Sequence, residues 1–281
     1  MALPSDFDLD HFVRRTLAED LGTGGDVTSA ATIAADARFT AEMNARQPIV
    51  LAGIEIAEAF FKALDGGIQI EALSKDGASV EAGSTLMRLA GNARAMLSAE
   101  RSALNTLQHL SGIATLTHRY VDAIAGTGAT LIDTRKTIPG LRTLEKYAAR
   151  MGGAQNHRMR LDDGVLIKDN HVALCGGAAE AVRRAKAANT GLQVQVEVDR
   201  IDQIEPALAA GADRLLLDNM PPLVLREAVA VVAGRVPLEA SGGVTLETIR
   251  AIAETGVDYI SVGRITQSAP AVDIGLDYSV G

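Results

Sequence analysis

Residues 194–218 read VQVEVDRIDQIEPALAAGADRLLLD. The stretch holds a strand-like run through Glu197 and Val198, a helical pattern over 199–210, and a second run at 215–217 that stops at Asp218. The same unit recurs on both sides. Further strand-like runs fall at 131–134, 165–168, 236–240 and 259–262, with helical patterns at 141–151, 178–188, 223–232 and 246–254. Strand-helix alternation builds a parallel sheet, and runs apolar for several residues require cover on both faces. Polar, charged or glycine residues end nearly every run: Arg135 and Lys136, Lys168 and Asp169, Glu197, Asp218 and Asn219, Ser241, and Gly263. A barrel gathers such ends at one mouth, whereas an open sheet spreads them along an edge. The expectation is a barrel of fewer than eight strands.

Upstream the rhythm differs. A helix is expected from 8 to 21, ended by the glycine turn at 22–25, then strands at 38–44 and 49–51 and a helix at 54–64. Short strands follow at 67–73, 83–89 and 93–97, and a long helix over 99–124. The 281 residues are 47% hydrophobic and 22% charged, an ordinary soluble composition, and 27 basic against 35 acidic side chains leave a net charge of −8. That balance argues against wrapping nucleic acid or coating an anionic membrane, although a local basic pocket is compatible with it. Cys175 is the single cysteine, so no intrachain disulfide or multi-cysteine metal site is available. The opening MALPSDFDLDHFVRR lacks the features of a signal or transit peptide, and no run reaches 18 apolar residues, so a cytoplasmic location is expected.

The segment 135–168 carries eight basic and three acidic side chains, which points to an anionic ligand. In TRKTIPGLR, Arg135 and Lys136 follow directly on LIDT, and a turn through Pro139 and Gly140 fixes their direction. Adjacent side chains diverge, so the pair suits two groups on one ligand; a solvated charge cluster is the competing reading. NHR adds Asn156, His157 and Arg158 without zinc-ligand spacing, which favours His157 as an anion donor over a metal ligand and leaves a structural histidine as the alternative. Lys168, at the end of an apolar run, must meet an anion, reach water or lose its proton. Glu197 and Asp218 end successive strands. Two hard oxygen donors suit Mg²⁺ with waters and substrate phosphates, and equally suit pairing with nearby lysines. Ser241, Gly242 and Gly243 in EASGG, and Gly263 in SVGRIT, free backbone N–H groups for a phosphate. One site with cationic, carboxylate and glycine sectors follows. A Schiff-base lyase using Lys136 or Lys168, and a non-catalytic anion-binding scaffold, are the other readings.

Across essentially the whole chain these residues resemble the quinolinate phosphoribosyltransferases, also called carboxylating nicotinate-nucleotide pyrophosphorylases. GDVTS, AERSALNTLQHLSGIAT, DTRKTIPGLR, GGAQNHRMRLDDGVLIKDNH, VQVEVD, LLLDNM, EASGG and ISVG occur in the family's order. Ile138 and Ala154 depart from the pattern in packing, not in charge. The resemblance implies an α/β fold: an N-terminal α/β domain (1–114) joined by the C-terminal tail (271–281), and an incomplete six- or seven-stranded αβ barrel of the type II phosphoribosyltransferase kind (115–270). It further implies a homo-oligomer, at least a dimer, with shared sites. Quinolinate is then expected to meet Arg135, Lys136, His157, Arg158, Lys168 and the partner subunit's Arg101, while Glu197 and Asp218 face Mg²⁺ and 5-phosphoribosyl pyrophosphate. Ser241, Gly242, Gly243 and Gly263 match the positions around the 5′-phosphate. The implied reaction yields nicotinate mononucleotide, pyrophosphate and carbon dioxide on the route to NAD, with a paralogue acting on another small anionic acceptor as the close rival.

Overall fold

A computed structural model describes residues 3–4 and 7–279. Residues 1–2 and 5–6 of the opening stretch and 280–281 of the expected tail lie outside them. The chain divides into two units, one of Met1–Thr117, Thr143–Gly153 and Ser268–Gly281, the other of His118–Arg142 and Ala154–Gln267. The segment Thr143–Gly153, read above as part of the barrel span, groups with the N-terminal unit. Its helix, Arg142–Met151, buries Leu144, Tyr147, Ala148, Ala149 and Met151.

The first unit contains β1 (Arg38–Ala45), β2 (Ile49–Val50), β3 (Gln69–Ala72), β4 (Ser79–Val80) and β5 (Thr85–Asn92). The second contains β6 (Thr130–Ile132), β7 (Val165–Ile167), β8 (Val194–Val198), β9 (Arg214–Asp218), β10 (Leu238–Ser241) and β11 (Tyr259–Ser261). The chain's final strand, β12 (Ile274–Ser279), belongs to the first.

In the N-terminal unit the antiparallel order is β12-β1-β5-β3, and β2 pairs with β4. Alternation along β1 buries Ala41, Met43 and Ala45 and exposes Arg38 and Thr40. The helix Ile54–Leu64 buries Ile56, Ala57, Phe60 and Phe61, the spacing of one helical face. Against it packs the helix Leu9–Leu21, with the Phe12 and Phe60 rings edge-on at 6.0 Å. Burial of each large apolar side chain contributes about 1.5–3 kcal/mol. One expected strand is absent: 93–97, ARAML, is the first turn of the helix Ala93–Ala123. Ala, Arg, Met and Leu favour helix, and the Asn92 side chain accepts the Ala95 N–H at 3.1 Å, so local propensity and a cap outweigh the alternation. The GDVTS motif also starts a helix, Val27–Thr32, capped by Asp26.

In the second unit all six strands are parallel, in the order β6-β11-β10-β9-β8-β7. Sequence-successive strands β7 to β11 lie side by side and β6 lies beside the last, the order of a barrel. Among the described residues β6 and β7 share no ladder; Gln155 makes an isolated parallel bridge to Ile132 at that seam. The barrel is therefore incomplete. Its strands also differ from the expectation of runs apolar on both faces. In β8, Val194, Val196 and Val198 are buried on one side, while Gln195 and Glu197 occupy the other. β9 places Leu215 and Leu217 against Arg214 and Asp218, with buried Leu216 as the apolar member of the second row, and β10 places Leu238 and Ala240 against Glu239 and Ser241. The second row is largely polar because its members pair with one another and line the mouth, where Leu166 and Leu216 are the apolar exceptions on these strands. A charged residue inside a sheet survives only when it is paired or wet.

Candidate active site

The strand ends of the second unit surround a cavity of about 700 Å³. Arg135, Lys136, His157, Arg158, Lys168, Glu197, Asp218, Ser241, Gly242, Gly243 and Gly263 all line it. Arg101 does not; it is exposed on the helix Ala93–Ala123 in the N-terminal unit. Segments more than 100 residues apart in sequence thus meet because each parallel strand delivers its C-terminal end to the same side.

Lys168 follows β7, and its Nζ donates to Glu197 Oε2 at 2.5 Å. The lysine side chain is 43% exposed and the carboxylate 11%, so the ammonium reaches the open mouth while its partner is nearly enclosed. Lys136 sits on the turn after β6. Its backbone N–H donates to Thr134 Oγ1 at 3.0 Å, and its carbonyl accepts from Thr266 Oγ1 at 2.7 Å. Its stem crosses Gly263 so closely that a Cβ there would lie 2.7 Å from Lys136 Cδ, which explains a glycine at the end of ISVG.

Arg135 Nε is buried without a hydrogen-bond partner. Burial, and then the positive charge of Arg135, hold the Arg158 guanidinium below the usual arginine range. Arg158 Nη1 donates to the Gly164 carbonyl at 2.9 Å. Two like charges held together in a cleft, one with an unused buried donor, are a receptor for negative charge.

Opposite stand Asp218 and the EASGG turn. Asn219 Nδ2 donates to Asp218 Oδ2 at 2.7 Å, and the Asn219 N–H donates to the Ser241 carbonyl at 2.8 Å. Gly242 adopts φ +94°, and a Cβ there would strike Asn219 Oδ1. Only glycine satisfies both conditions. Among the described residues no three His, Cys, Asp or Glu converge to hold a metal. Glu197 and Asp218, two hard oxygen donors on adjacent strands, fit a cation such as Mg²⁺ that takes its other ligands from phosphate and water.

His157 borders the cavity, but both ring nitrogens are engaged by protein: Nδ1 accepts the Arg158 N–H at 2.8 Å, and Nε2 faces Gln195 Oε1 at 3.2 Å. Asn219, expected at the end of its run, lines the cavity, as do Asp133 and Glu239, which together with Gln195 the sequence reading does not single out. Asp133 follows β6 directly and takes the His157 N–H at 2.8 Å and Asn156 Nδ2 at 2.6 Å. Its signal was present, a carboxylate inside LIDT beside two cations. Glu239 and Gln195 carried only the alternation of β10 and β8 as a clue.

A barrel mouth that combines a cationic wall with a carboxylate pair and glycine turns defines the class of α/β-barrel enzymes for phosphorylated, polyanionic substrates. Two family models match: the quinolinate phosphoribosyl transferase C-terminal domain over residues 113–277 and its N-terminal domain over 26–111. The chain belongs to the quinolinate phosphoribosyltransferase family. It is 45% identical over 270 residues to the nicotinate-nucleotide pyrophosphorylase [carboxylating] of Mycobacterium leprae, covering 94% of this chain and 95% of that one. A probable nicotinate-nucleotide pyrophosphorylase [carboxylating] of Bacillus subtilis is 42% identical, over 97% of this chain and 92% of its own length. The solved nicotinate-nucleotide pyrophosphorylase of Francisella tularensis superposes with a TM-score of 0.93 at 42% identity, covering 99% of this chain and 100% of that one. No helix among the described residues is long and apolar enough to cross a membrane.

Proposed function

We infer that the barrel mouth transfers the phosphoribosyl group of 5-phosphoribosyl pyrophosphate to the ring nitrogen of quinolinate and releases one carboxylate as carbon dioxide. The chain is a pentosyltransferase of NAD biosynthesis, a quinolinate phosphoribosyltransferase (decarboxylating). The observation that carries the site assignment is the meeting of Arg135, Lys136, Arg158 and Lys168 with Glu197 and Asp218 around one cavity. On this reading the four cations receive the two acceptor carboxylates, with His157 beside them and the partner subunit's Arg101 completing the wall. Ser241, Gly242, Gly243 and Gly263 receive the 5′-phosphate. The barrel span is the catalytic domain.

As the bond from the anomeric carbon to pyrophosphate breaks, the electron pair leaves with pyrophosphate and positive character builds on the ribose. The quinolinate nitrogen then supplies its lone pair to that carbon. The nitrogen becomes quaternary, and the bond to the neighbouring carboxylate breaks. Carbon dioxide departs, and the electrons left on the ring are stabilised by the pyridinium charge until a proton from water replaces the lost group. The cationic wall orients the acceptor and holds its nitrogen toward the ribose. Glu197 and Asp218 would hold Mg²⁺, directly or through water, and the bound ion would supply charge neutralisation at the pyrophosphate.

The test is to incubate purified protein with quinolinate, 5-phosphoribosyl pyrophosphate and Mg²⁺ while following carbon dioxide and pyrophosphate together. Equal release of both, abolished by chelation, is expected. Pyrophosphate release with nicotinate in place of quinolinate, without carbon dioxide, identifies a non-decarboxylating paralogue instead. For shared sites, an Arg101→Ala chain mixed with a Lys168→Ala chain regains part of the activity; no recovery after demonstrated subunit exchange removes Arg101 from the wall.

A further inference from the structure

Between its strands the barrel holds polar side chains to which the proposed reaction gives no step, one of which, Glu239, also lines the cavity. Glu239, on β10, is 1% exposed. Gln195 Nε2 donates to Glu239 Oε2 at 2.7 Å, and Arg214 Nη2 stands 2.9 Å from the same oxygen. The Arg214 guanidinium lies 3.9 Å over the Tyr259 ring. Burial raises the Glu239 carboxyl, yet the His157 hydrogen bond, the Arg214 charge and the Gln195 hydrogen bond hold it below the usual glutamate range.

These contacts set orientations in sequence. An ionised carboxylate only accepts, so Glu239 draws the NH₂ of Gln195 toward itself and leaves the amide oxygen for His157. His157 Nε2 lies 3.2 Å from that oxygen and 3.4 Å from Glu239 Oε2, two acceptors, and so it carries the ring proton. Nδ1 is thereby bare and accepts the Arg158 backbone N–H. A proton on Nδ1 is incompatible with that bond. Asp133 fixes the other side of the same turn through the His157 N–H.

We propose that Glu239 is a positioning residue for acceptor recognition, which through Gln195 selects the His157 tautomer that anchors Arg158 at the mouth. The proposal rests on the reading of Arg158 as a carboxylate-binding group. It makes His157 first a support for its neighbour.

The experiment uses full-length ¹⁵N-labelled protein without ligand, with the His157 ring resonances assigned by loss in His157→Gln. The wild type is expected to show Nε2–H and unprotonated Nδ1. In Glu239→Gln the side chain in place of the carboxylate also donates, so the Nδ1–H tautomer becomes populated. KM for quinolinate then rises about tenfold while KM for 5-phosphoribosyl pyrophosphate stays within about twofold. Glu239→Gln also deprives Arg214 of its counter-charge, so Gln195→Met serves as a second variant that keeps that pair and is expected to show the same KM split at smaller size. An unchanged tautomer in both variants overturns the proposal, as does a loss that follows unfolding and affects both substrates equally. Wild-type protein that shows the tautomer but turns over no quinolinate overturns the functional reading on which the proposal rests, and leaves the ring geometry standing.

Discussion

In the N-terminal unit, Asp76 accepts the Gly53 N–H at 2.7 Å, the Ile54 N–H at 3.0 Å and the Tyr147 hydroxyl at 2.5 Å. At the barrel mouth, Arg135 Nε has no partner, and its charge presses on Arg158. Thr117 Oγ1 and Arg150 Nε of the first unit are also unpartnered, but neither lines the mouth. The contrast separates two uses of polar groups. Saturated ones hold backbone in place and stabilise the fold, whereas crowded, under-satisfied ones of like sign leave donor capacity and charge that an anion can take up.

Four measurements press on that contrast. Lys168→Ala removes the mouth cation and leaves Glu197 unpaired; kcat/KM for quinolinate is expected to fall about 10²- to 10³-fold, and an unchanged value removes Lys168 from the site. Gly242→Ala forces a left-handed backbone on alanine and displaces Asn219, which should cost about 10²-fold in turnover through misplacement of the phosphate turn. Equal kinetics for this variant and the wild type exclude that turn from phosphate binding.

Asp76→Ala acts in the other unit. It strands two backbone N–H groups at the start of the helix Ile54–Leu64, which has no other side-chain cap, and removes the Asp76 acceptor from the Tyr147 hydroxyl. Unfolding free energy is expected to drop by about 2–3 kcal/mol with KM values unchanged; a kinetic effect larger than the stability effect breaks the division between the units. Burial, then the hydrogen bond to Asp76, raises the Tyr147 hydroxyl well above ordinary tyrosines, so it stays protonated when those titrate.

The smallest effect is at Asp26. Hydrogen bonds from Ser29 hold its carboxyl below the usual value, and it caps the helix Val27–Thr32. Asp26→Ala should cost about 1 kcal/mol at neutral pH. Because the folded group binds its proton more weakly than the unfolded one, this advantage is full above about pH 4, where the unfolded carboxyl is ionised, and is lost as pH falls through the folded value. Urea denaturation at pH 7 and pH 2.5 checks it: a difference that persists in acid contradicts the assignment.

Much of the site was legible because its parts sit at the ends of strand-like runs. Arg135, Lys136, Lys168, Glu197 and Asp218 follow apolar stretches at a spacing that only strand-helix alternation explains, so their convergence could be argued from one dimension. Glu239 was hidden for the same reason it matters. One inward residue within an apolar run resembles noise in a window of five, and its meaning arises from Gln195, Arg214 and His157, which lie 25 to 82 residues away. The 93–97 segment misled in the opposite way, since a short alternating run fits both periods and its cap at Asn92 decided the matter.

By itself, then, the order of residues determined the alternation, the sign of charge at each strand end and the family, because periodicity and motif order are properties of the chain. Folding alone decided which row of each strand turned inward and which nitrogen of His157 bears the proton. Those outcomes depend on distances of about 3 Å between residues that sequence separates, where hydrogen bonding and desolvation select one arrangement among several the chain permits.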